Sequence, residues 1–343
     1  MTFTTHGVKM IGSKRLLAPR IGEVIFALGA KTAIDVFTGT TRVAQQLRHL
    51  GIQTYTSDLS WASESYANTY VHNGENSHLA RRIQTMNDLP GVEGWLTKNY
   101  CGVGVYGEKF GSGDGRCFRR KNTERADAAR DWIDEQKDLK DWEKHTLITA
   151  VIRALDAVDN TTGTQQAYLK EWCDRSDNNI KFELPFCFDG KTARHYEGNA
   201  LTIDYPTCDV AYLDAPYSAH SYSEYYHIWD SITKWDKPTT SVLKSRRRID
   251  RVPSEEQFDK SMISEWNSKK TALDAFRQLI FRLPVEYIVV SYSDGSLVEG
   301  ADLLGFGDTE MIEIEHPKNH IGTNPNKSNE KTVTEYLFVI KKG

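Results

Sequence analysis

The stretch Thr32-Ala33-Ile34-Asp35-Val36-Phe37-Thr38-Gly39-Thr40-Thr41-Arg42-Val43-Ala44-Gln45-Gln46-Leu47 constrains the fold of this chain more than any other. A short apolar run ends near an acid, a glycine follows where the backbone must turn tightly, and apolar residues then recur at helical spacing. After Gly51, residues Ile52 to Asp58 read as a second strand. Strand, turn, helix and strand in this order open a nucleotide-binding βαβ unit, in which the backbone approaches a ligand at Gly39 and the helix N-terminus lends its field. Asp58 closes the second strand 19 residues after Gly39, near the ~20 at which an acid meets ribose hydroxyls. The other reading of Asp58 is a capping acid between strand and helix. Thr40 and Thr41 stand where a dinucleotide fingerprint carries further glycines, so a smaller adenosine-bearing ligand fits better than NAD.

A second feature lies far downstream, where the apolar run Val210-Ala211-Tyr212-Leu213 stops at Asp214-Ala215-Pro216-Tyr217. An acid, a proline-fixed backbone and an aromatic ring at a strand's end are well suited to gripping a planar base that carries an exocyclic amine. The carboxylate accepts from the amine and the ring stacks on the base. The same four residues also suit a plain strand-to-turn junction.

Between these features the alternation breaks down, from about Gly74 to Tyr205. Asn122–Gln136 and Lys140–Val158 follow helical periodicity and read as packed helices of an inserted lobe. At 343 residues the chain exceeds one ordinary core, which agrees with a domain that carries an insertion. Downstream, Tyr225–Ile232 reads as a helix dense in aromatics, whose side chains suit core packing, with contact of His227 with substrate as the other reading; Leu273–Phe281 reads as a helix and Val285–Tyr292 as a strand. Thr309–Glu315 and Val333–Ile340 read as an antiparallel edge hairpin. Near the start, a glycine-bearing turn places Lys14 close to a helix N-terminus, where it could serve a bound anion or stay a solvated lysine.

The 43 Lys and Arg against 47 Asp and Glu give a net charge of −4, so any nucleic-acid contact must come from local basic patches. Two stand out: Arg119 and Arg120 in the run Arg116 to Lys121, and Lys244, Arg246, Arg247, Arg248 and Arg251 in a stretch with little apolar periodicity; each reads either as a nucleic-acid contact or as a solvated basic loop. The five cysteines form no CxxC pair, which disfavours a disulfide framework or a zinc site and points to free thiols. No apolar run approaches the ~20 residues of a membrane span. The expected location is therefore cytoplasmic.

Gly12-Ser13-Lys14, Asp35-Val36-Phe37-Thr38-Gly39, Asp58 and Asp214-Ala215-Pro216-Tyr217, taken in that order, resemble the Dam-like, alpha-ordered DNA adenine N6-methyltransferases over nearly the whole chain. Asn160-Thr161-Thr162-Gly163, Tyr226-His227-Ile228-Trp229, Ser291-Tyr292 and Glu335-Tyr336-Leu337 add to the likeness. The resemblance implies an α/β fold: a Rossmann-like S-adenosylmethionine-dependent methyltransferase sheet with a mainly helical inserted target-recognition lobe. The catalytic domain would comprise 1–75 and 190–343, and the lobe 76–189. It implies S-adenosylmethionine as cofactor, held by Lys14, Asp35, Phe37, Gly39, Asp58 and Asn199, with no metal.

It also implies double-stranded DNA as partner and catalysis at Asp214, Ala215, Pro216 and Tyr217 on a flipped adenine. There Asp214 and the carbonyl of residue 215 accept the amine hydrogens. Arg119, Arg120 and the Lys244–Arg251 cluster are the expected DNA contacts. A restriction endonuclease partner and a monomeric state are compatible with this reading. Two residues depart from the family pattern: Thr41 replaces a glycine, and Ala215 replaces a proline, a change that keeps the carbonyl. A DNA-binding homologue with weakened catalysis and an RNA adenine N6-methyltransferase are the alternatives.

Overall fold

Ala33, Ile34 and Asp35 are all buried, as expected of a strand covered on both faces. They belong to the first strand of a sheet in a computed structural model, which describes residues 3–72, 74–102, 117–165, 167–169, 171–189, 193–216, 222–240, 264–293, 296–317 and 332–342. In chain order the elements begin with α1 (Ala18–Ala27), β1 (Thr32–Asp35), α2 (Arg42–His49), β2 (Gln53–Asp58) and α3 (Trp61–Ala67), which continues into a π-helical turn at Asn68–His72. Next come α4 (Ala80–Asp88), α5 (Trp95–Tyr100), β3 (Cys101–Gly102), β4 (Phe118–Arg119), α6 (Arg120–Glu135) and α7 (Asp141–Ala157). The chain then passes through β5 (His195–Glu197), β6 (Cys208–Leu213), α8 (Tyr222–Tyr225), α9 (His227–Lys234), α10 (Ala272–Arg282), β7 (Val285–Ser293), α11 (Gly300–Leu303), β8 (Asp308–Pro317) and β9 (Thr332–Lys341).

Seven strands form one sheet in the order β5-β2-β1-β6-β7-β9-β8. The first five are mutually parallel. β9 runs antiparallel to both β7 and β8, so the expected edge hairpin is present. Alternation assigns the faces. Ala33, Val210, Tyr212, Val289 and Leu337 pack under Ile21 and Ile25 of α1 and Val43 and Leu47 of α2. Their neighbours Ile34, Ala211, Leu213, Ile288, Val290 and Phe338 pack with Phe276 and Leu279 of α10. Each large aliphatic side chain buried here contributes about 1.5–3 kcal/mol. This is the α/β, Rossmann-like architecture that the sequence predicts.

The helices inserted between β2 and β5 pack against the helices α3 and α9. Ile83 and Met86 of α4, Leu96 of α5, Ala126 and Ile133 of α6, and Leu147 and Val151 of α7 share one core with Tyr66 of α3 and with Ile228 and Ile232 of α9. Two polar contacts fix the arrangement. Asp127 of α6 accepts from the backbone N–H groups of Gly94, Leu96 and Thr97, capping α5 from outside. Arg130 is fully buried and donates to the carbonyls of Ile232 and Thr233 at 2.7 and 3.1 Å, satisfying the end of α9. The aromatic helix begins at His227 rather than Tyr225, because Tyr226 (φ −129°, ψ 24°) leaves helical geometry and separates α8 from α9.

Strand order places the site. The chain leaves β1 outward to β2 and β5, then crosses back to β6, and ligands bind outside the carboxyl ends of the strands at such a reversal. Because β9 is antiparallel, its first residues reach the same edge: Glu335 pairs with Ser293 at the end of β7. Among the described residues, no helix is long and apolar enough to cross a membrane.

Candidate active site

A cavity of about 150 Å³ opens at this edge, lined by the β1–α2 turn, the end of β2, the segment after β6 and the chain around Lys14. Lys14, Asp35, Phe37, Gly39, Asp58, Asn199, Asp214 and Pro216 all line it. Residues from opposite halves of the sequence therefore meet in one space.

The β1–α2 turn is held from within. Gly39 has φ +48°, a left-handed conformation that glycine adopts without strain. Its N–H donates to Asp58 Oδ2 at 2.7 Å, while Asp58 Oδ1 accepts from Ser60 N at 2.9 Å. Asp58 thus locks the turn to the end of β2. Burial raises its carboxyl above the ordinary range despite these bonds. Ser60 Oγ in turn donates to Asp230 of α9 at 2.6 Å.

Asp35 is 1% exposed. Burial pushes it up to about 8, and the nearby Asp214 and Asp58 push the same way, while Thr38 Oγ1, donating at 3.0 Å to Oδ2, opposes them. Its other oxygen, Oδ1, is buried without a hydrogen-bond partner. A buried acid that lines a cavity and has an unsatisfied oxygen suits a cationic or hydrogen-donating ligand.

Thr41, the residue that departs from the family glycine, also has a positive φ, 62°. A β-branched side chain in this region is strained by roughly 1–2 kcal/mol. The turn is fastened regardless: Thr41 N donates to Thr38 O at 2.6 Å, and Gln45 Nε2 donates to Thr41 Oγ1 at 2.9 Å.

Lys14 precedes α1 and is turned inward, 6% exposed. Its ammonium lies 2.8 Å from Asp214 Oδ1 and 3.1 Å from Glu335 Oε1. Burial works against its charge, yet the two carboxylates outweigh burial and the net shift is upward. The anion that Lys14 serves is therefore supplied by the chain itself. Ala215 is buried and Pro216 lines the cavity; Tyr217 lies outside the described residues.

Asn199 follows β5; its Oδ1 accepts from Leu201 N, and its Nδ2 donates to Glu265 Oε2 at 3.1 Å. Glu265 adjoins Trp266, whose ring meets Phe37 edge-on at 5.0 Å and closes one wall of the cavity. Tyr226 Oη accepts from Ile11 N at 2.7 Å and donates to Gly163 O at 3.1 Å. It thereby ties the Lys14 segment to the Asn160–Gly163 loop. His227 packs as core, as the aromatic density of its helix predicts. It is buried, lowered to about 4 by that burial, and absent from the cavity lining.

The basic residues divide. Arg119 is 6% exposed, stacks 4.0 Å over Trp172 and pairs with Asp177 at 2.8 Å. Its guanidinium is engaged inside the lobe rather than offered to a phosphate. Arg120 is exposed and pairs with Glu93 and Glu124. Neither lines the cavity. Lys244, Arg246, Arg247, Arg248 and Arg251 lie outside the described residues.

Sequence reasoning gives no role to Glu335, Trp266 or Tyr226. Glu335 carries only the resemblance of Glu335-Tyr336-Leu337. A glutamate within a strand looks solvent-facing until the pairing of β9 is known.

A family model described as D12 class N6 adenine-specific DNA methyltransferase matches residues 10–291. Modification methylase StsI of Streptococcus sanguinis is 27% identical over an alignment that covers 98% of this chain and 52% of that protein. Type II methyltransferase M.NlaIII of Neisseria lactamica is 26% identical, covering 92% of each. The chain thus spans about half the length of the first relative and most of the second. Among solved structures, the methyltransferase domain of bacterial CtHen1-C covers 95% of this chain and 97% of its own, at 7% identity and a TM-score of 0.32, a likeness too slight to argue from.

Proposed function

The chain belongs to the D12 class of N6 adenine-specific DNA methyltransferases, and on that premise we propose that it methylates the exocyclic amine of an adenine flipped out of double-stranded DNA. The observation that carries the reading is the meeting of Asp214 with Asp35 and Asp58 in one cavity at the sheet's reversal point. One set of acids suits the methyl donor and the other suits the acceptor.

S-adenosylmethionine, when bound, supplies an electrophilic methyl group on a sulfonium centre. The chain fits it: the open Oδ1 of Asp35 suits a cationic portion of the molecule, Asp58 at the end of β2 suits the ribose hydroxyls, and Phe37 and Asn199 line the remaining wall. The amine of adenine is a poor nucleophile because its lone pair is conjugated with the ring. Asp214 and the carbonyl of Ala215 accept its hydrogens and draw the lone pair out of that conjugation, and Tyr217 stacks on the base. Pro216 biases residue 215 toward extended backbone, so replacement of the family proline by Ala215 keeps the acceptor aimed. Alignment of nitrogen, methyl and sulfur supplies the rest of the rate.

The helical lobe of residues 76–189 reads the target sequence, and Arg120 with the Lys244–Arg251 cluster contacts the backbone. The relatives' names, a modification methylase and a Type II methyltransferase, favour a role beside a restriction endonuclease. Incubation with methyl-labelled S-adenosylmethionine and mixed-sequence duplex DNA tests the reading: label is expected in N6-methyladenine, and DNA that stays unlabelled at every cofactor concentration contradicts it.

A further inference from the structure

Glu335 reaches the catalytic edge only because β9 runs against β7, which sets the start of β9 beside the end of its neighbour. The carboxylate is buried, 5% exposed, and shares the Lys14 ammonium with Asp214 at 3.1 and 2.8 Å. Two buried charges and the half-buried Asp214 form an expensive arrangement, since each must be taken wholly or partly out of water. One lysine and one aspartate would already neutralise each other. The second carboxylate leaves the triad with an excess negative charge, against the wall of the cavity where Asp214 acts.

We propose that Glu335 is a positioning residue for methyl transfer: it holds the Lys14 ammonium in place against Asp214 Oδ1, so that the Asp214 carboxylate keeps a single orientation toward the amine. The ammonium's field is shared between two carboxylates. If Glu335 is neutralised, the ammonium shifts toward Asp214, and the oxygens of Asp214 become weaker acceptors. The excess negative charge of the triad also favours the positive charge that arrives on the acceptor nitrogen as the methyl group moves. Cofactor contacts at Asp35 and Asp58 are left as they are. The proposal rests on the reading of Asp214 given above.

A double-mutant cycle on the full chain tests it, using Glu335→Gln, Glu335→Asp, Lys14→Met and the Lys14→Met/Glu335→Gln pair. Methyl transfer to duplex DNA gives kcat and KM; melting temperature and calorimetric affinity for S-adenosylmethionine show that each variant is folded. Glu335→Gln is expected to lower kcat by about tenfold or more while KM for the cofactor stays within about threefold, a split that marks a transition-state effect. Glu335→Asp, which keeps the charge, recovers part of kcat. In the double variant transfer is no lower than in Lys14→Met alone, because Glu335 then has no ammonium to hold and the like-charged pair is relieved. A kcat for Glu335→Gln within about twofold of the parent, or losses that multiply in the double variant, overturns the proposal. Should Glu335→Gln not fold, the same comparison is read from Glu335→Met, alone and paired with Lys14→Met, because an uncharged apolar side chain of similar length is often tolerated where a buried ion is removed. Failure of the parent protein to methylate DNA would refute the proposed function itself, before any substitution is made.

Discussion

The carboxylate of Asp58 at the end of β2 accepts a hydrogen bond from the Gly39 amide of the β1–α2 turn at 2.7 Å. One side chain therefore both shapes the turn and lines the cavity. Asp58→Ala leaves the Gly39 N–H without this acceptor, a loss of about 1–3 kcal/mol of stability, and removes the expected ribose contact. Calorimetry should show affinity for S-adenosylmethionine falling by about tenfold or more; an unchanged affinity would assign Asp58 to the turn alone.

Asp35 gives a pH dependence with a definite sign. Burial raises its carboxyl to about 8, so the folded protein holds this proton more tightly than the unfolded chain. Its contribution to stability is complete below the unfolded value of roughly 3.9 and is lost as pH rises through the folded value. Asp35→Asn, which does not ionise, should flatten that decline in melting temperature between about pH 4 and about pH 8. A cationic ligand prefers the ionised form, so binding of S-adenosylmethionine should release a proton near neutral pH in the parent and none from this site in the variant. Calorimetry in buffers of different ionisation enthalpy reads the difference.

Much of this site is legible in the sequence because β1, the Gly39 turn, α2 and β2 form one local unit, in which acids stand at strand ends by simple spacing. Asp214 is legible for the same reason. The Lys14–Asp214–Glu335 triad is not, because it needs the crossing from β1 to β6 and the reversal of β9, neither of which has a local signature. Arg119 shows the converse. A run of basic residues reads as a surface, and only the packing of Trp172 and Asp177 around its guanidinium reveals a buried one. The inserted helices are legible by periodicity, whereas the core they share with α3 and α9 depends on residues distant in sequence.

Thr41 should reverse the usual order of helix-edge substitutions. Alanine keeps the Cβ that strains a left-handed residue, at roughly 1–2 kcal/mol, whereas glycine removes it and costs roughly 0.5–1 kcal/mol in chain entropy. Both lose the bond from Gln45. Thr41→Gly is therefore expected to melt no lower than Thr41→Ala; an alanine variant more stable by about 1 kcal/mol or more would mean the φ of 62° stores no strain.

The basic residues should separate by their salt dependence. Converting Arg246, Arg247 and Arg248 to Ala should weaken DNA binding and reduce the slope of log K against log salt by about 0.9 for each phosphate no longer neutralised. Arg119→Ala should leave that slope unchanged and instead lower stability by about 1–3 kcal/mol, because Trp172 and Asp177 then lack the guanidinium they pack around. Titrations over a range of salt, paired with denaturant melts, distinguish the two behaviours.

The most direct measurement is the turnover of Asp214→Ala on duplex DNA, taken together with its affinity for S-adenosylmethionine. If Asp214 captures the adenine amine while Asp35 and Asp58 hold the cofactor, methyl transfer falls to background and cofactor binding remains measurable. Retained full turnover would contradict this assignment and remove Asp214 from catalysis.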